Sequence, residues 1–307
     1  MKVKVRVPAT VANLGPGFDV FGAALSLYNE FEAEYVPEAK KTYFTLKGAG
    51  KKSLPKCEKN LFWQSMQKTF KFLGEDKYNL KNLNIVVNTR IPLSGGFGSS
   101  ASAIVGGIVL ANALCGNKLD KTQVADLAVK IEGHPDNVAP AVYGGICVCS
   151  KDGDHETVVQ LPIPKLKVVL CAPAFELRTK RSRQVLPKCV NLQDLVFNTS
   201  RVALLTAAFC RSDFTLLKAG MQDKIHQPYR GKMIPDMNEV LDAALSSGAY
   251  GACLSGSGPT LAAFCNAKDA VNVRKSMIKR WKKDSVRAKA YVLDFDAKGA
   301  VAIAYLR

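Results

Sequence analysis

Apolar and polar residues alternate from Val3 to Val11, which predicts a β-strand. A sharp Gly15-Pro16-Gly17 loop follows, and then an apolar run from Val20 to Tyr28. Phe31 to Gly48 reads as a hairpin of two strands. Leu61, Phe62, Met66, Phe70 and Leu73 recur at helical spacing, so Asn60 to Leu73 is expected to be an amphipathic helix with Asn60 as a natural N-cap. Leu83 to Ile91 is an Ile/Val-rich strand that Pro92 stops. A glycine loop and a helix of about four turns then run to Cys115.

Farther on, Lys121 to Ile131 has amphipathic helical spacing, Gly145 to Ser150 is an apolar strand and residues 151–154 form a turn. Leu161-Pro162-Ile163-Pro164 marks a domain boundary, giving segments 1–160 and 161–307. In the second segment a strand is expected from Lys165 to Ala172 and helix from Asn191 to Gly220 and from Leu241 to Gly248. Gly251 to Thr260 opens a strand, glycine turn and helix. A helix over Arg274–Lys283 and a strand over Ala288–Phe295 complete the pattern.

Composition narrows the classes. The chain has 307 residues, 48% hydrophobic and 22% charged, as expected for a globular protein with one large or two medium domains. No apolar run is long enough to span a bilayer. The nine cysteines are scattered without a C-x-x-C pair, which argues against zinc and for a reducing, cytoplasmic setting. The net charge of +17 raises nucleic acid as a partner. The lysines, however, are spread along the chain without an RNA-binding signature, and the dense cluster from Arg274 to Lys289 reads as a solvated helix face. A small anionic substrate is the better match for a basic surface.

The chemistry concentrates after Pro92. Gly95, Gly96 and Gly98 place three glycines in four positions, followed by Ser99 and Ser100 at the start of a helix, where Ser is a favoured N-cap. Helix N-termini carry unpaired N–H groups and partial positive charge, so a phosphate is the natural ligand. No lysine completes a Walker A loop. Gly96 to Ala101 fits the spacing of a dinucleotide fingerprint, with Asp120 near the required offset, but Asp120 lies in a strand-poor polar stretch. Near the N-terminus, Asn13 and Asp19 bracket the Gly15–Gly17 loop; they either bond their own backbone or point together toward a ligand.

Pro92-Leu93-Ser94-Gly95-Gly96-Phe97-Gly98-Ser99-Ser100-Ala101-Ser102 resembles the ATP loop of the galactokinase, homoserine kinase, mevalonate kinase and phosphomevalonate kinase superfamily, with Phe97 where Leu is usual. Four more strings resemble its homoserine kinase branch: PATVANLGPGFDVFGAAL, E-G-H-P-D-N-V-A-P from Glu132, T-x-x-x-R-x-x-L-P from Thr179 with Ser182 for Ala, and D-x-x-x-x-P-x-R from Asp223. A further string, Gly251 to Thr260, is similar to the motif that backs the phosphate loop.

The resemblance implies an α+β fold of two domains. An N-terminal ribosomal-protein-S5-like, ATP-binding domain would span residues 1–160, and a C-terminal ferredoxin-like domain residues 161–307. It implies ATP and Mg²⁺ as cofactors and phosphorylation of L-homoserine, a step toward threonine. Asn13, Asp19, His134, Asn137, Arg183 and Arg230 would then bind the amino acid, with Arg183 also serving catalysis. Asn60 would lie near the adenine. Ser100 and Glu132 would hold the metal, with Asp126 as the alternative to Glu132. Asn137 stands where a base might be sought, so no carboxylate base is evident. A mevalonate-type kinase is the alternative within the superfamily; nucleic acid and membrane are not expected as partners, and a homodimer is compatible with the sequence.

Overall fold

The structure of the protein is a computed structural model that describes residues 1–56, 58–75, 82–93, 95–152, 155–177 and 179–305. The first layer comprises β1 (Lys2–Ala12), β2 (Phe21–Tyr35), β3 (Tyr43–Gly48), α1 (Leu61–Phe72), β4 (Leu83–Thr89), α2 (Ser99–Leu114), α3 (Lys121–Glu132), α4 (Pro135–Tyr143), β5 (Ile146–Asp152) and β6 (His155–Leu161). The second comprises β7 (Lys167–Pro173), α5 (Thr179–Gln184), α6 (Leu192–Arg211), α7 (Leu217–Gly220), α8 (Gln227–Gly231), α9 (Met237–Ser246), β8 (Ala249–Leu254), β9 (Leu261–Cys265), α10 (Ala270–Lys283) and β10 (Ala288–Leu293). Then β11 (Val301–Tyr305) returns to the first sheet and pairs antiparallel with β1.

The first sheet runs β11-β1-β2-β4-β3, with β5 hydrogen-bonded to β2 and β6 to β5. β2 serves two neighbours along one edge: residues 30–35 pair with β4 and residues 21–23 with β5. Asn29 closes the gap between them. Its Oδ1 accepts from the backbone N–H of Arg90 and of Ile91 at 2.9 and 3.0 Å, so the chain entering the glycine loop is pinned to the sheet.

The hairpin expected over Phe31–Gly48 does not form. β3 pairs in parallel with β4, which lies between β2 and β3. β4 alternates buried and half-buried positions and has apolar side chains enough for an interior strand, whereas β3 buries only Leu46 fully and suits an edge.

α2 is apolar on all sides because it is packed on all sides, between β1, α1, α3 and α4. Gly106 is required there: a Cβ would lie 2.5 Å from the Phe31 ring, so its absence lets the helix sit directly on β2. Val3, Val5, Val7, Phe31, Phe62, Ile104 and Ile108 form the centre of this core.

The second sheet is antiparallel in the order β10-β7-β9-β8. Numbered within that domain, the order is 4-1-3-2, the ferredoxin-like arrangement. The helix expected after Gly251–Thr260 is instead β9. Leu261 to Cys265 is wholly buried, and a short run buried on both faces has no period by which to tell strand from helix. The expected Asn191–Gly220 helix also breaks: α6 ends at Ser212, in a left-handed conformation, before a short turn and α7. The stretch Glu132 to Pro140, whose glycine and prolines read as a loop, instead enters α4 at Pro135. Among the described residues all eight cysteines are free thiols, and no helix is long and apolar enough to cross a membrane.

Candidate active site

A cleft of about 450 Å³ lies between the two layers, within the usual range for small-molecule sites. One wall is the glycine loop and the first turn of α2. Ser99 and Ser100 do not cap the helix. They occupy its first turn, and the N-cap is Gly98, in a left-handed conformation with φ 67° and no side-chain cap. The leading N–H groups of α2 are therefore left for an anion. A Cβ on Gly98 would lie 1.8 Å from Thr10 Oγ1, so glycine is needed for space as well as for φ. Leu93, Gly95, Gly96, Gly98, Ser99 and Ser100 line the cleft. Phe97, Ala101 and Ser102 are buried behind it, and Ser94 lies outside the described residues. Pro92 is described but does not line the cleft.

Asn60 also reaches the cleft, but its side chain is in use. Oδ1 accepts from Phe62 N at 3.0 Å as the α1 cap, and Nδ2 donates to Pro55 O at 2.9 Å. Asp120 caps α3 in a capping box with Gln123, so it is not the strand-end acid that a dinucleotide ribose requires.

Beside the phosphate-loop wall, Ser100 Oγ donates to Glu132 Oε2 at 2.8 Å. α3 delivers Glu132 at its last residue, just before the left-handed Gly133. Burial pushes the Glu132 carboxyl up, against the Ser100 hydrogen bond and the nearby His134. These two hard oxygen donors fit Mg²⁺. Asp126 does not line the cleft; its charge acts on Tyr143 and Glu156 instead.

The cleft also carries the amino-acid-binding candidates. The start of α4 places two of them, His134 and Asn137, with Asp136 between. His134 is its N-cap residue, and His134 Nδ1 lies 2.7 Å from Asp136 Oδ1. Burial works against the charged imidazole, but the Asp136 hydrogen bond and the charges of Asp136 and Glu132 outweigh it and raise the His134 pKa. Asn137 Oδ1 accepts from Thr10 Oγ1 at 2.7 Å.

Asp19 is held in a left-handed conformation by its own N–H, which donates to Asn13 Oδ1 at 3.1 Å. Asn13 Nδ2 in turn donates to Gly256 O at 3.1 Å. Both polar ends of Asn13 are thus spent on joining the 13–19 loop to the glycine turn of the second layer. The Asp19 carboxylate takes both terminal nitrogens of Arg183, at 2.7 and 3.0 Å. Burial disfavours the Arg183 cation, but Asp19 outweighs it and raises the pKa.

Arg230 is 2% exposed. Nη1 donates to Gly256 O at 3.0 Å and Nε to Ser182 O at 3.3 Å. No carboxylate lies within ion-pair distance of it among the described residues. Burial, reinforced by Arg183, lowers its pKa to about 10, so it stays cationic at neutral pH. An unpaired buried cation is costly unless an anion completes it. His226 supports it: Nε2 lies 2.6 Å from Gly15 O and Nδ1 3.3 Å from Arg230 Nη1, which makes Nε2–H a donor and Nδ1 an acceptor. Burial and the facing arginine hold this imidazole neutral.

Residues 60–145 match the N-terminal domain of the GHMP kinases, and residues 205–283 match the C-terminal domain. The chain is 42% identical to homoserine kinase of Desulfitobacterium hafniense, over 98% of this chain and all of the relative. It is 45% identical to that of Carboxydothermus hydrogenoformans, over 88% of this chain and 87% of the relative. The crystal structure of homoserine kinase from Cytophaga hutchinsonii superposes with a TM-score of 0.88 at 33% identity, covering 98% and 97% of the two chains. The chain belongs to the homoserine kinases of the GHMP kinase superfamily. Leishmania major mevalonate kinase, with a TM-score of 0.72 at 18% identity, shares the fold.

Sequence reasoning missed three contributors. Asp136 sits inside the quoted string between His134 and Asn137, and the string alone assigns it no role. Phe18 presents its ring to both arginines, with guanidinium carbons 5.3 and 5.1 Å from the centroid. Thr10 is fully buried in β1 and nothing in its strand period marks it.

Proposed function

We propose that the protein transfers the γ-phosphoryl group of ATP to the side-chain hydroxyl of L-homoserine, forming O-phospho-L-homoserine. The observation that carries this reading is a single cleft with the uncapped N-terminus of α2 at one wall and both Asp19 and the unpaired Arg230 at the other. An amino acid brings one ammonium and one carboxylate, and these two residues answer them.

The backbone N–H groups of α2 and its glycine loop hold phosphate. Ser100 and Glu132 would hold Mg²⁺, which neutralises phosphate charge when bound. Arg230 receives the substrate carboxylate. Asp19 receives the ammonium, and Arg183, its ion-pair partner, faces the same space. Asn137 meets the acceptor oxygen from its place beside the glycine loop. Asp136 orients His134 through Nδ1, and Nε2 faces the Glu132 carboxylate at 4.0 Å. Catalysis then rests on alignment and charge neutralisation, which are the main requirements of phosphoryl transfer.

A coupled ADP-release assay tests the reading with L-homoserine and mevalonate in parallel. ADP release that depends on L-homoserine is expected. Turnover with mevalonate instead, or with neither alcohol, would overturn it.

A further inference from the structure

Thr10 does not line the cleft, yet it touches both of its working walls. Its backbone N–H donates to Phe97 O at 3.0 Å, in the glycine loop. Its hydroxyl donates to Asn137 Oδ1 at 2.7 Å. The same hydroxyl fills the space left by the missing side chain of Gly98, the N-cap of α2. Three elements that must be in register for transfer therefore meet at one buried threonine: β1, the phosphate loop and the first turn of α4.

Asp136 sets which way the Asn137 amide faces, and the Thr10 hydroxyl holds it there. Oδ1 is taken by Thr10, and Nδ2 is turned toward Asp136 Oδ1 at 3.5 Å. The flipped amide would set Oδ1 against the Asp136 carboxylate, oxygen to oxygen, whereas the Thr10 hydroxyl could turn to meet either end. The Asp136 flank thus selects the orientation, and in it Thr10 is the donor to Oδ1. With Oδ1 consumed, the amide offers the cleft an N–H. It can donate to an acceptor oxygen and cannot take that oxygen's proton.

We propose that Thr10 is a positioning residue for the transfer: it locks Asn137 as a donor to the nucleophilic hydroxyl oxygen and ties that donor to the glycine loop that holds the phosphates. The proposal rests on the reading of the cleft given above, in which Asn137 meets the acceptor oxygen. A loosened amide would lower the fraction of bound pairs with oxygen aligned on phosphorus, a quantity on which rates depend steeply. The loss should therefore fall on kcat rather than on ATP binding.

The test is a double-mutant cycle of Thr10→Val and Asn137→Ala, with Thr10→Ser as the conservative control, read by steady-state ADP release and thermal melting. Thr10→Val should lower kcat about tenfold or more while KM for ATP moves less than about twofold, and Thr10→Ser should retain kcat within about threefold. In the Asn137→Ala background, Thr10→Val should cost less than about twofold, because the group it acts through is gone. Independent, multiplicative losses would overturn the proposal, as would an unchanged kcat in Thr10→Val. An impaired Thr10→Ser with equal losses for both substrates would reduce Thr10 to a structural role and also overturn it. If Thr10→Val does not fold, Thr10→Cys keeps the size with a weaker donor, and full kcat in that variant would count equally against it. Asn137→Ala alone separates the two levels: normal turnover there refutes the placement of Asn137 at the acceptor oxygen, whereas impaired turnover with a silent Thr10→Val refutes only the role of Thr10.

Discussion

Arg183 grips both carboxylate oxygens of Asp19 in a two-pronged ion pair, at 2.7 and 3.0 Å, across the boundary between the two layers. The acid expected to take the substrate ammonium is already engaged by the cation expected to act in transfer. In the proposed reaction an arriving amino acid would share or displace that contact, so Asp19 would bear on the amino acid rather than on the nucleotide. Asp19→Asn should raise KM for L-homoserine about tenfold or more and leave KM for ATP within about twofold. Steady-state kinetics with each substrate varied in turn would show it, and equal shifts in both constants would remove Asp19 from the amino-acid pocket.

Ser100 and Glu132 are bonded to each other beside the α2 N-terminus, with Ser100 exposed and Glu132 half-buried, so their oxygens can meet both a cation and a phosphate. Glu132→Gln should raise the Mg²⁺ concentration needed for half-maximal rate by roughly tenfold or more, and Ser100→Ala should do so less steeply. A magnesium titration at saturating ATP decides the point. An Asp126→Asn enzyme with the same increase would move the ligand to Asp126, farther back on α3.

Gly98 combines φ 67° with a Cβ position occupied by the Thr10 hydroxyl. Gly98→Ala should cost about 1–2 kcal/mol for the left-handed backbone alone, with the steric conflict in addition. It should also abolish tight nucleotide binding by displacing the first turn of α2. Calorimetric melting together with ATP titration checks both parts; a variant as stable as the parent would mean that the loop can rearrange freely.

His226 is fully buried, and its imidazole is held neutral by burial, with Arg230 adding to that and Asp223 opposing it. Its folded pKa is thus below the unfolded value, so the unfolded chain binds the extra proton first. Stability from this group is present above about pH 6.5 and falls as the pH drops through that value toward the folded pKa. Melting temperature should fall more between pH 7.5 and pH 5.5 in the parent than in His226→Gln. Parallel declines would assign the acid sensitivity to other groups.

Legibility in the sequence followed the physics of each segment. The first half of β1, together with α1 and α3, has one wet face and one dry face, so these periods were readable and the limits came out within a residue or two. β9 is dry on both faces and has no period. Pro135 and Pro140 disguised α4 as a loop, although proline is at home at the first helical position, and Pro140 is accommodated later in a helix of nine residues. The order β2-β4-β3 depends on which strand has enough apolar surface for two neighbours, a comparison that local spacing does not contain. In the site, the motif strings placed the cleft residues in the right neighbourhoods. What they could not give was the pairing among them. Asn13 is bonded to the backbone, Asp19 is paired with Arg183, Arg230 has no acid within ion-pair distance among the described residues, and Thr10 lies behind Asn137; each of these is a relation between distant segments.

The return of β11 to the edge of β1 means that the chain crosses between the layers twice, once after β6 and once after β10. Two tethers on one module leave it a single easy axis of rotation, the line through both crossings. Opening and closing of the cleft should follow a hinge about that line rather than a free swing, so the arginines of the second layer would approach the phosphate loop along one reproducible arc.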